Sequence, residues 1–428
     1  MKLSEELLWR GFHAETTIKD PTFLDEKENK SFYWGADPSA DSLTIGNLAA
    51  LMMCACFVRH GYKPYLLVGG ATGQIGDPKD TKERELKPLE EVEFNKNCIK
   101  NQIERCLINA SEGKDVDLTM VDNYDWFKDM NYIDFLRTVG KAFSMTQLMD
   151  RKFIQSRMGE GGSGISYAEF SYTLIQGYDF YHLYRQYGVD LQLCGADQYG
   201  NCASGISLIR KFAGEEANVW STPLIIDPVS GRKFGKSEGN AVWLAGETVK
   251  LPEEVAKAEG IDYSLNFTSV FDFYQFWLNQ ADSAVEYLLK IYTIYDKETI
   301  ESVLAKHAVD PSQRIAQKVL AKGATEVVHG KEAAEAVINL SEKLFQKDVE
   351  FSDKDIEQAA LILPTKPISV SLVDDLVETG LASSKKEARQ FIKSGAVSIN
   401  GTKITDETKV TNAPAILKRG KNKFAVVR

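Results

Sequence analysis

Short apolar runs alternate with longer amphipathic stretches through the first half of the chain. Runs with the length of buried strands occur at residues 30–34, 63–68, 116–121, 189–193 and 222–226. Stretches with helical periodicity occur between them, at residues 47–60, 88–110, 167–186 and 201–212. Because strand, helix and strand recur in that order, the pattern predicts right-handed βαβ units in an α/β fold with a Rossmann-like parallel sheet.

The alternation stops at several points, which predict the domain organisation. Residues 126–164, rich in Met, Arg and Gly, are interpreted as an insertion in the Rossmann-like domain and as a subunit contact. Helix formers dominate residues 251–346, and short helices and strands follow residue 368. We therefore predict a Rossmann-like domain at 1–245, an α-helical domain at 246–346, a linker at 347–367 and a small α+β domain at 368–428.

Composition narrows the class of protein. Hydrophobic residues make up 43% and charged residues 26%, which is typical of a globular chain. No apolar run reaches the length of about 20 residues that spans a bilayer, and the N-terminal residues are acidic rather than signal-like. Six cysteines without a C-x-x-C pair argue against a disulfide framework or structural zinc. These features predict a cytoplasmic protein with no metal site and no membrane partner.

Charge is unevenly distributed along the chain. Residues 369–428 contain 11 Lys and Arg against 6 Asp and Glu, a net charge of +5 in a chain whose net charge is −10. The remaining residues therefore carry −15. A basic C-terminal segment on an acidic body is compatible with a polyanionic partner, although the charge alone favours a basic solvated surface.

The segment from residue 33 to residue 47 contains the first candidate chemistry. A strand ends near Trp34 and small polar residues lead into the helix at 47–60, so free N–H groups and the helix dipole face the loop. Ser39 and Thr44 add hydroxyl groups, and Gly46 lets a ligand approach the backbone closely. The segment indicates either a phosphate site or an ordinary strand–turn–helix corner.

Polar residues recur beyond the later strands. The glycine-rich loop that follows residue 68 lacks the Gly-Lys-Ser/Thr of a Walker motif, and its Asp77 either pairs with an ammonium group or forms an Asp-Pro turn. On the helix at 167–186, Tyr172, Gln176 and Asp179 share one face. This composition suits a small polar ligand better than bulk water.

Two further segments remain ambiguous when taken alone. Asp197 lies just past the strand at 189–193, where it could hold a ribose or act as a helix N-cap. The stretch Lys233-Phe234-Gly235-Lys236-Ser237 is a positively charged loop. Such a loop is either a surface feature or a catalytic clamp.

The combined pattern resembles a known family. Thr44-Ile45-Gly46-Asn47 occupies the place of the HIGH signature of class I aminoacyl-tRNA synthetases, and 233–237 resembles their KMSKS signature. With Tyr33, the 69–77 loop and the polar face of the helix at 167–186 in the same order, the whole chain resembles the bacterial tyrosyl-tRNA synthetases. Thr44 and Asn47 depart from the family by replacing both histidines of HIGH, and Trp34 replaces a residue that is often small.

The resemblance implies an ATP-dependent ligase. It would activate L-tyrosine with ATP, supplied as a Mg²⁺ complex without dedicated protein ligands for the metal, and then charge the 3′ terminal adenosine of tRNA(Tyr). The residues implied for tyrosine are Tyr33, Asp77, Tyr172, Gln176, Asp179 and Gln198. Those implied for ATP are Gly35, Asp37, Ser39, Gly46, Gln192, Gly195, Asp197 and Lys236. Those implied for catalysis at the phosphates are Thr44, Asn47, Lys233, Lys236 and Ser237. The family also implies a homodimer.

The C-terminal third of the chain adds an expected RNA partner. The resemblance makes residues 246–346 the domain that meets the anticodon arm, and residues 368–428 resemble the alpha-L (S-four type) RNA-binding module of ribosomal proteins. The residues expected to contact tRNA from one helix face are Lys385, Lys386, Arg389 and Lys393.

Two other functions remain open at this point. A synthetase for another aromatic amino acid, tryptophan, would share the fold, but an indole has no phenolic hydroxyl for Tyr33 and Asp179 to bind. A non-catalytic tRNA-binding paralogue would also keep the fold, and the replacements at Thr44 and Trp34 motivate that alternative.

Overall fold

A computed structural model of the chain describes most of its residues. The described residues are 1–78, 85–111, 116–149, 152–158, 164–226, 231, 236–237, 240–246, 266–345, 349–408, 411 and 413–428. They form two compact units. The first unit contains the described part of Met1–Ala241 with Asn266 and Lys290–Tyr292, and the second contains most of the remainder.

The first unit is built on a five-stranded parallel sheet. Its strand order is β3-β2-β1-β4-β5, so the chain reverses direction across the sheet between β1 and β4. The strands are β1 (Ser31–Ala36), β2 (Lys63–Val68), β3 (Thr119–Asp122), β4 (Leu191–Gly195) and β5 (Asn218–Thr222). This arrangement confirms the predicted α/β class with a Rossmann-like parallel sheet, in which ligands bind beyond the carboxyl ends of the strands next to the reversal.

Helices connect successive strands of this sheet, as expected for βαβ units. The described helices of the first unit before residue 242 are α1 (Leu3–Arg10), α2 (Phe23–Glu26), α3 (Ile45–Arg59), α4 (Thr72–Ile75), α5 (Leu89–Ala110), α6 (Tyr124–Phe127), α7 (Tyr132–Thr138), α8 (Met145–Met149), α9 (Lys152–Met158), α10 (Tyr167–Tyr187) and α11 (Tyr199–Ala213). The described part of the predicted insertion at 126–164 thus contains short helices. Two-residue strands β6 (Lys236–Ser237) and β7 (Asn240–Ala241) pair with each other.

The alternation of side chains along β1 separates two candidate residues. Tyr33 belongs to the apolar cluster that includes Phe180, Cys194 and Cys202. Because successive strand residues point to opposite faces, the buried Trp34 lies on the other face of the sheet from Tyr33. Trp34 therefore does not crowd the face on which Tyr33 lies.

One strand prediction was wrong. The apolar residues at 224–226 suggested a strand at 222–226, whereas β5 spans Asn218–Thr222 and pairs with β4. Leu224 and Ile226 are instead exposed. The last strand is anchored by Trp220, whose indole Nε1 donates to the Phe12 carbonyl at 2.6 Å. The local pattern of apolar and polar residues cannot indicate a hydrogen bond between residues so far apart in the chain.

The second unit combines a helical region with a mixed sheet. Its helices include Val270–Leu278, Lys297–Val309, Ile315–His329, Lys331–Phe345, Asp353–Ala360, Leu372–Glu378 and Lys385–Lys393. The sheet has the order β10-β9-β11-β12-β8, with β8 (Thr365–Lys366), β9 (Val397–Ile399), β10 (Thr402–Ile404), β11 (Ala415–Arg419) and β12 (Lys423–Val427). Only the pairing of β12 with β8 is parallel. The domain boundaries at 245, 346 and 367 stay predictions.

A buried ionic cluster joins α1 to the end of α3. The Glu6 carboxylate accepts from Arg10 Nε at 2.7 Å, from Arg59 Nη2 at 2.7 Å and pairs with His60 Nε2 at 2.8 Å. Burial by itself raises the pKa of Glu6. The His60 hydrogen bond and the charges of Arg59 and Arg10 outweigh that effect and hold the pKa well below its usual range.

Replacing this carboxylate tests its contribution to stability. We expect Glu6→Gln to lower the free energy of unfolding by about 3 kcal/mol at pH 7, because two arginines lose their buried partner. Below about pH 4.3, the ordinary pKa of glutamate, the unfolded chain takes up a proton that the folded chain does not. The wild-type advantage should therefore shrink as the pH falls through that value. Urea unfolding from pH 3 to pH 7 measures this difference, and an advantage that grows toward low pH would contradict it.

Candidate functional site

The carboxyl ends of β1 and β2 meet around one carboxylate. Asp37, one residue past β1, accepts from the Thr72 hydroxyl at 2.6 Å and from the Tyr172 hydroxyl at 2.8 Å. A side chain at Gly69 would overlap Thr72 and Asp37, so this position requires glycine. The structure thus brings Asp37, predicted on the ATP side, into direct contact with Tyr172, predicted on the tyrosine side.

A second carboxylate lies deeper in the same region. Asp179 on α10 is 1% exposed. Its Oδ2 accepts from Asn123 Nδ2 at 3.1 Å, and its Oδ1 accepts from Trp126 Nε1 at 2.9 Å. The Trp126 ring is itself held by stacking on His182, with ring centroids 4.4 Å apart. Both carboxylate oxygens are therefore fixed in direction before any ligand arrives.

Burial dominates the protonation of these groups. Desolvation raises the pKa of Asp179 well above its usual range, although the hydrogen bonds from Asn123 and Trp126 act in the opposite direction. Desolvation, followed by the charge of Asp179, raises the pKa of Tyr33 as well. A phenol at Tyr33 and a carboxyl at Asp179 thus share one buried environment. A further hydrogen-bond donor from a ligand would stabilise the Asp179 carboxylate.

A continuous hydrogen-bond chain connects the two carboxylates. Asn123 Nδ2 donates to Thr72 Oγ1 at 3.1 Å as well as to Asp179, and Thr72 donates in turn to Asp37. Sequence reasoning missed Asn123, Thr72 and Trp126. The position of Asn123 was a usable signal, because it directly follows β3 at the edge where the strands end. The pairing of Trp126 with Asp179 gives no sequence signal.

A second polar chain connects Thr173 of α10 to Asp77. Gln198 Nε2 donates to Asp77 Oδ2 at 2.9 Å, and Asn201 Nδ2 donates to Gln198 Oε1 at 3.2 Å. Thr173 completes the chain by donating to Asn201 Oδ1 at 2.9 Å. Asp77 is therefore more than a turn residue, since it is tied to Gln198, the other residue predicted at the polar end of the amino acid.

Two of the glutamine side chains predicted to bind substrate have a buried amide oxygen with no partner among the described residues. These oxygens are Oε1 of Gln176, whose Nε2 lies 3.8 Å from Cys202 Sγ, and Oε1 of Gln192, which lies beside Tyr33 in the sheet. Buried polar atoms are almost always hydrogen-bonded in folded proteins. Unpartnered acceptors at this edge of the sheet indicate a place for ligand donors such as an ammonium group.

The other predicted ATP residues line the same edge. Gly35 is the next-to-last residue of β1, and Gly195 ends β4. Asp197, two residues later, is exposed. The structure thus places these three residues at or just beyond the carboxyl ends of the adjacent strands β1 and β4, where ligands bind in this type of fold.

The HIGH-like segment forms a compact helix start. Thr44 is the N-cap of α3, and its backbone N–H and its hydroxyl both donate to Asn47 Oδ1 at 3.0 Å. This leaves the two N–H groups of the Asn47 amide as donors next to the exposed Gly46. Ser39, also exposed, is held by its N–H, which donates to the Asp37 carbonyl at 2.8 Å.

The lysine-rich segment is described only in part. Lys233 lies outside the described residues. Lys236 and Ser237 form β6 and pair with Ala241 and Asn240. The approach of these lysines to the phosphate side of the site stays a prediction.

The basic helix of the second unit is exposed as predicted. The exposed side chains are Lys385, Lys386, Arg389 and Lys393. Lys385 Nζ lies 2.7 Å from Asp374 Oδ1, and Arg389 Nε lies 3.9 Å from Glu407 Oε2. Among the described residues, Lys386 and Lys393 have no ion-pair partner, so their charge is the least compensated on this face.

Three general properties concern the described residues as a whole. All six cysteines are buried free thiols. Within the described ranges, no helix has the length and apolar character needed to cross a bilayer, and no group of three or more His, Cys, Asp or Glu side chains is arranged to hold a metal ion.

Comparison with known families covers nearly the whole chain. The family described as "tRNA synthetases class I (W and Y)" matches residues 25–259 and 255–346. The family described as "Tyrosine--tRNA ligase SYY-like C-terminal domain" matches residues 355–428. The first family spans both tryptophan and tyrosine enzymes, whereas the second is specific to tyrosine.

Individual relatives are similar along their full length. Proteins named "Tyrosine--tRNA ligase" from Streptococcus gordonii and Streptococcus thermophilus are 38% and 40% identical, with 100% of each chain covered. Among solved structures, the C-terminally truncated mitochondrial tyrosyl-tRNA synthetase of Aspergillus nidulans is 26% identical, with a TM-score of 0.67 over 80% of this chain and 94% of that one. The tryptophanyl-tRNA synthetase of Plasmodium falciparum, 14% identical with a TM-score of 0.51 over 83% of this chain and 89% of that one, shares the fold.

Proposed function

Because this chain belongs to the class I tRNA synthetases, within the tyrosine–tRNA ligase family, we propose that it activates L-tyrosine with ATP and transfers the tyrosyl group to tRNA(Tyr). The family and the ligase activity predicted from the sequence are confirmed by the full-length similarity to named tyrosine–tRNA ligases. The assignment of individual residues to this activity is our proposal.

One observation carries the proposed amino-acid specificity. Asp179 is buried with both oxygens held by Asn123 and Trp126, and Tyr33 shares its environment. We assign Tyr33 and Asp179 to the substrate's phenolic hydroxyl. An amino acid without that hydroxyl would leave these buried groups unpaired, which costs far more than the loss of one contact in water.

The polar end of tyrosine is assigned to residues that precede Asp179 on the same face of α10, together with Asp77 and Gln198. Asp77, Tyr172 and Gln176 would hold the ammonium group, and the unpartnered Gln176 Oε1 is a suitable acceptor for one of its protons. Gln198, hydrogen-bonded to Asp77, would lie near the substrate carboxylate. Because Asp37 binds the Tyr172 hydroxyl, we propose that Asp37 also orients this ammonium site.

The nucleotide is assigned to the edge between β1 and β4. We propose that the adenosine side is formed by Gly35, Asp37, Gln192, Gly195 and Asp197. We propose that the phosphates contact Ser39, Thr44, Gly46, Asn47, Lys233, Lys236 and Ser237. A bound Mg²⁺ would enter with ATP and neutralise part of the phosphate charge.

Chemistry at this site requires orientation rather than an enzyme nucleophile. An oxygen of the tyrosine carboxylate attacks the α-phosphorus, the bond from that phosphorus to the bridging oxygen breaks, and pyrophosphate leaves. The protein's contribution is to align the two substrates and to stabilise the charge on the leaving pyrophosphate. The free N–H groups of Asn47 and the N-terminus of α3 are suited to that charge.

The decisive experiment is ATP–pyrophosphate exchange with each of the twenty standard amino acids. We expect exchange with tyrosine, with little or none for phenylalanine and tryptophan. Exchange with tryptophan alone would show the other aromatic specificity. Binding of tRNA without any amino-acid-dependent exchange would show a non-catalytic paralogue.

The basic helix provides a separate prediction about tRNA. We expect Lys386→Ala and Lys393→Ala together to raise KM for tRNA(Tyr) several-fold and to reduce the salt dependence of binding by about one ion per lysine. Exchange measured without tRNA should stay unchanged. Lys385→Ala, which removes a lysine already paired with Asp374, is the matched control and should have a smaller effect. An unchanged KM for tRNA(Tyr) in the double variant would contradict the proposed face.

We further propose a cytoplasmic homodimer whose interface includes residues 126–164. The support is an unusual density of exposed apolar side chains in and beside this insertion, which are typical of interfaces. These exposed residues are Tyr124, Tyr132, Ile133, Met145, Met158 and Tyr167. Analytical ultracentrifugation measures the mass in solution, and a monomer at micromolar concentration would contradict the proposal.

A further inference from the structure

A nearly buried ion pair lies directly behind one wall of the site. Lys96 Nζ on α5 lies 2.7 Å from Asp122 Oδ2 at the end of β3, and the two side chains are 12% and 9% exposed. Glu93 Oε2, 2.5 Å from the same ammonium group, is far more exposed. Neither Lys96 nor Asp122 was singled out by its sequence context, and neither is assigned a role in the proposed reaction.

The second oxygen of Asp122 holds the backbone on both sides of the site wall. Asp122 Oδ1 accepts from the N–H of Gly70 at 3.0 Å and from the N–H of Tyr124 at 2.9 Å. A side chain at Gly70 would overlap this carboxylate. Asp122 thus fixes the glycine-rich loop after β2 and the turn after β3 relative to each other.

Asn123 lies between these two fixed points. Its Oδ1 accepts from the Ala71 N–H at 2.7 Å, and its Nδ2 donates to both Thr72 and Asp179. An amide whose two ends are held in this way can present only its N–H groups to Asp179. The direction of the Asp179 oxygens therefore depends on how the loop and the turn are held.

We propose that Lys96 and Asp122 are positioning residues whose ion pair orients the Asn123 amide against Asp179 and thereby sets the discrimination between tyrosine and phenylalanine. This inference rests on the proposed function. Without the ammonium group, the Asp122 carboxylate would be a nearly buried charge with no countercharge, held only by its backbone donors. It would turn toward the adjoining cavity of about 470 Å³, whose lining includes Lys96 and Gly70, and would release its two backbone donors.

The charges near Asp179 also depend on the Lys96–Asp122 ion pair. Asp37 and Asp122 are the carboxylates whose charges act on Asp179, and both raise its pKa in addition to the larger effect of burial. The Lys96 ammonium, 2.7 Å from Asp122, offsets one of these two charges. Loss of Lys96 would therefore disturb the carboxylate that binds the substrate hydroxyl in two ways.

Two substitutions test the proposal on the full chain. We expect Lys96→Met and Asp122→Asn each to lower the ratio of kcat/KM for tyrosine over phenylalanine about tenfold in ATP–pyrophosphate exchange, the effect of weakening one hydrogen bond to a charged group. The Kd for tyrosine measured by equilibrium dialysis without ATP should rise by a similar factor, while KM for ATP stays within about twofold. Asp122→Asn leaves Lys96 paired with Glu93 and keeps an acceptor for the Gly70 N–H. It therefore still tests the proposal if Lys96→Met does not fold.

Lys100→Met is the matched control, because Lys100 lies one turn further along α5 and has no ion pair among the described residues. It should behave like the wild type. Unchanged tyrosine-to-phenylalanine ratios of kcat/KM in both test variants would overturn the positioning role. A rise in KM for ATP as large as the rise in Kd for tyrosine would overturn it as well. A wild-type chain without tyrosine-dependent exchange would instead refute the proposed function, so the two failures are distinguishable.

Discussion

Asp179→Asn is expected to lower kcat/KM for tyrosine about a hundredfold while changing the weak use of phenylalanine little. The substituted amide has one acceptor oxygen and one donor nitrogen, whereas Asn123 and Trp126 present a donor to each side of the carboxylate. One of these donors must then face another donor. The tyrosine hydroxyl also loses its charged acceptor, and together these losses correspond to about 3 kcal/mol.

The measurement is ATP–pyrophosphate exchange with both amino acids as substrates. Asp129→Asn is the matched control, because it makes the same substitution at an exposed position close to Trp126 in the chain. Its kinetics should equal those of the wild type. Equal losses for tyrosine and phenylalanine in Asp179→Asn would show that the residue supports the fold of the site rather than recognition of the hydroxyl.

Asn47→Asp is expected to slow tyrosine-dependent exchange about a hundredfold without destabilising the chain. The substituted carboxylate can still accept from the Thr44 N–H and hydroxyl, and a negative charge in the first turn of a helix is favourable. What it removes is the pair of amide donors beside Gly46. At the proposed position of the leaving pyrophosphate, a negative charge then replaces two N–H groups. Loss of one such donor typically lowers kcat about 10²- to 10³-fold.

Thermal unfolding and ATP–pyrophosphate exchange kinetics together test the proposed role of Asn47. The melting temperature should stay the same or rise, KM for ATP should increase, and the Kd for tyrosine measured without ATP should remain near the wild-type value. Asn101→Asp adds the same charge at an exposed position of α5 and should leave exchange unchanged. Normal exchange in Asn47→Asp would remove Asn47 from the proposed catalytic set.

Sequence patterns predicted the sheet better than the site. Continuous apolar runs located four of the five parallel strands, and three of these, β1, β2 and β4, are buried along most of their length and therefore mostly apolar. The last strand was misplaced because Asn218–Thr222 is half polar and is held by the Trp220 hydrogen bond to Phe12. Periodicity reports burial, and it cannot report a contact between residues two hundred positions apart.

The residues of the site also divide into those that local sequence spacing indicates and those that only the folded chain brings together. Tyr172, Gln176 and Asp179 were recognisable because helical spacing places them on one face. Asn123, Thr72 and Trp126, which orient the two carboxylates, come from two segments, one after β2 and one after β3, and meet Asp37 and Asp179 only in the folded chain. Their residue types are common in loops, so only the resemblance to a family or the structure itself could select them.

The burial of all six cysteines has a practical consequence for studies in solution. Desolvation raises the pKa of the Cys54, Cys56, Cys106 and Cys202 thiols, so little reactive thiolate is present at neutral pH. A single cysteine introduced by Arg232→Cys, which replaces none of the residues assigned to the phosphates, would then be the preferred target for a maleimide dye, with the native thiols left in place. Fluorescence from that label could follow the lysine-rich segment through each step of tyrosine activation in real time.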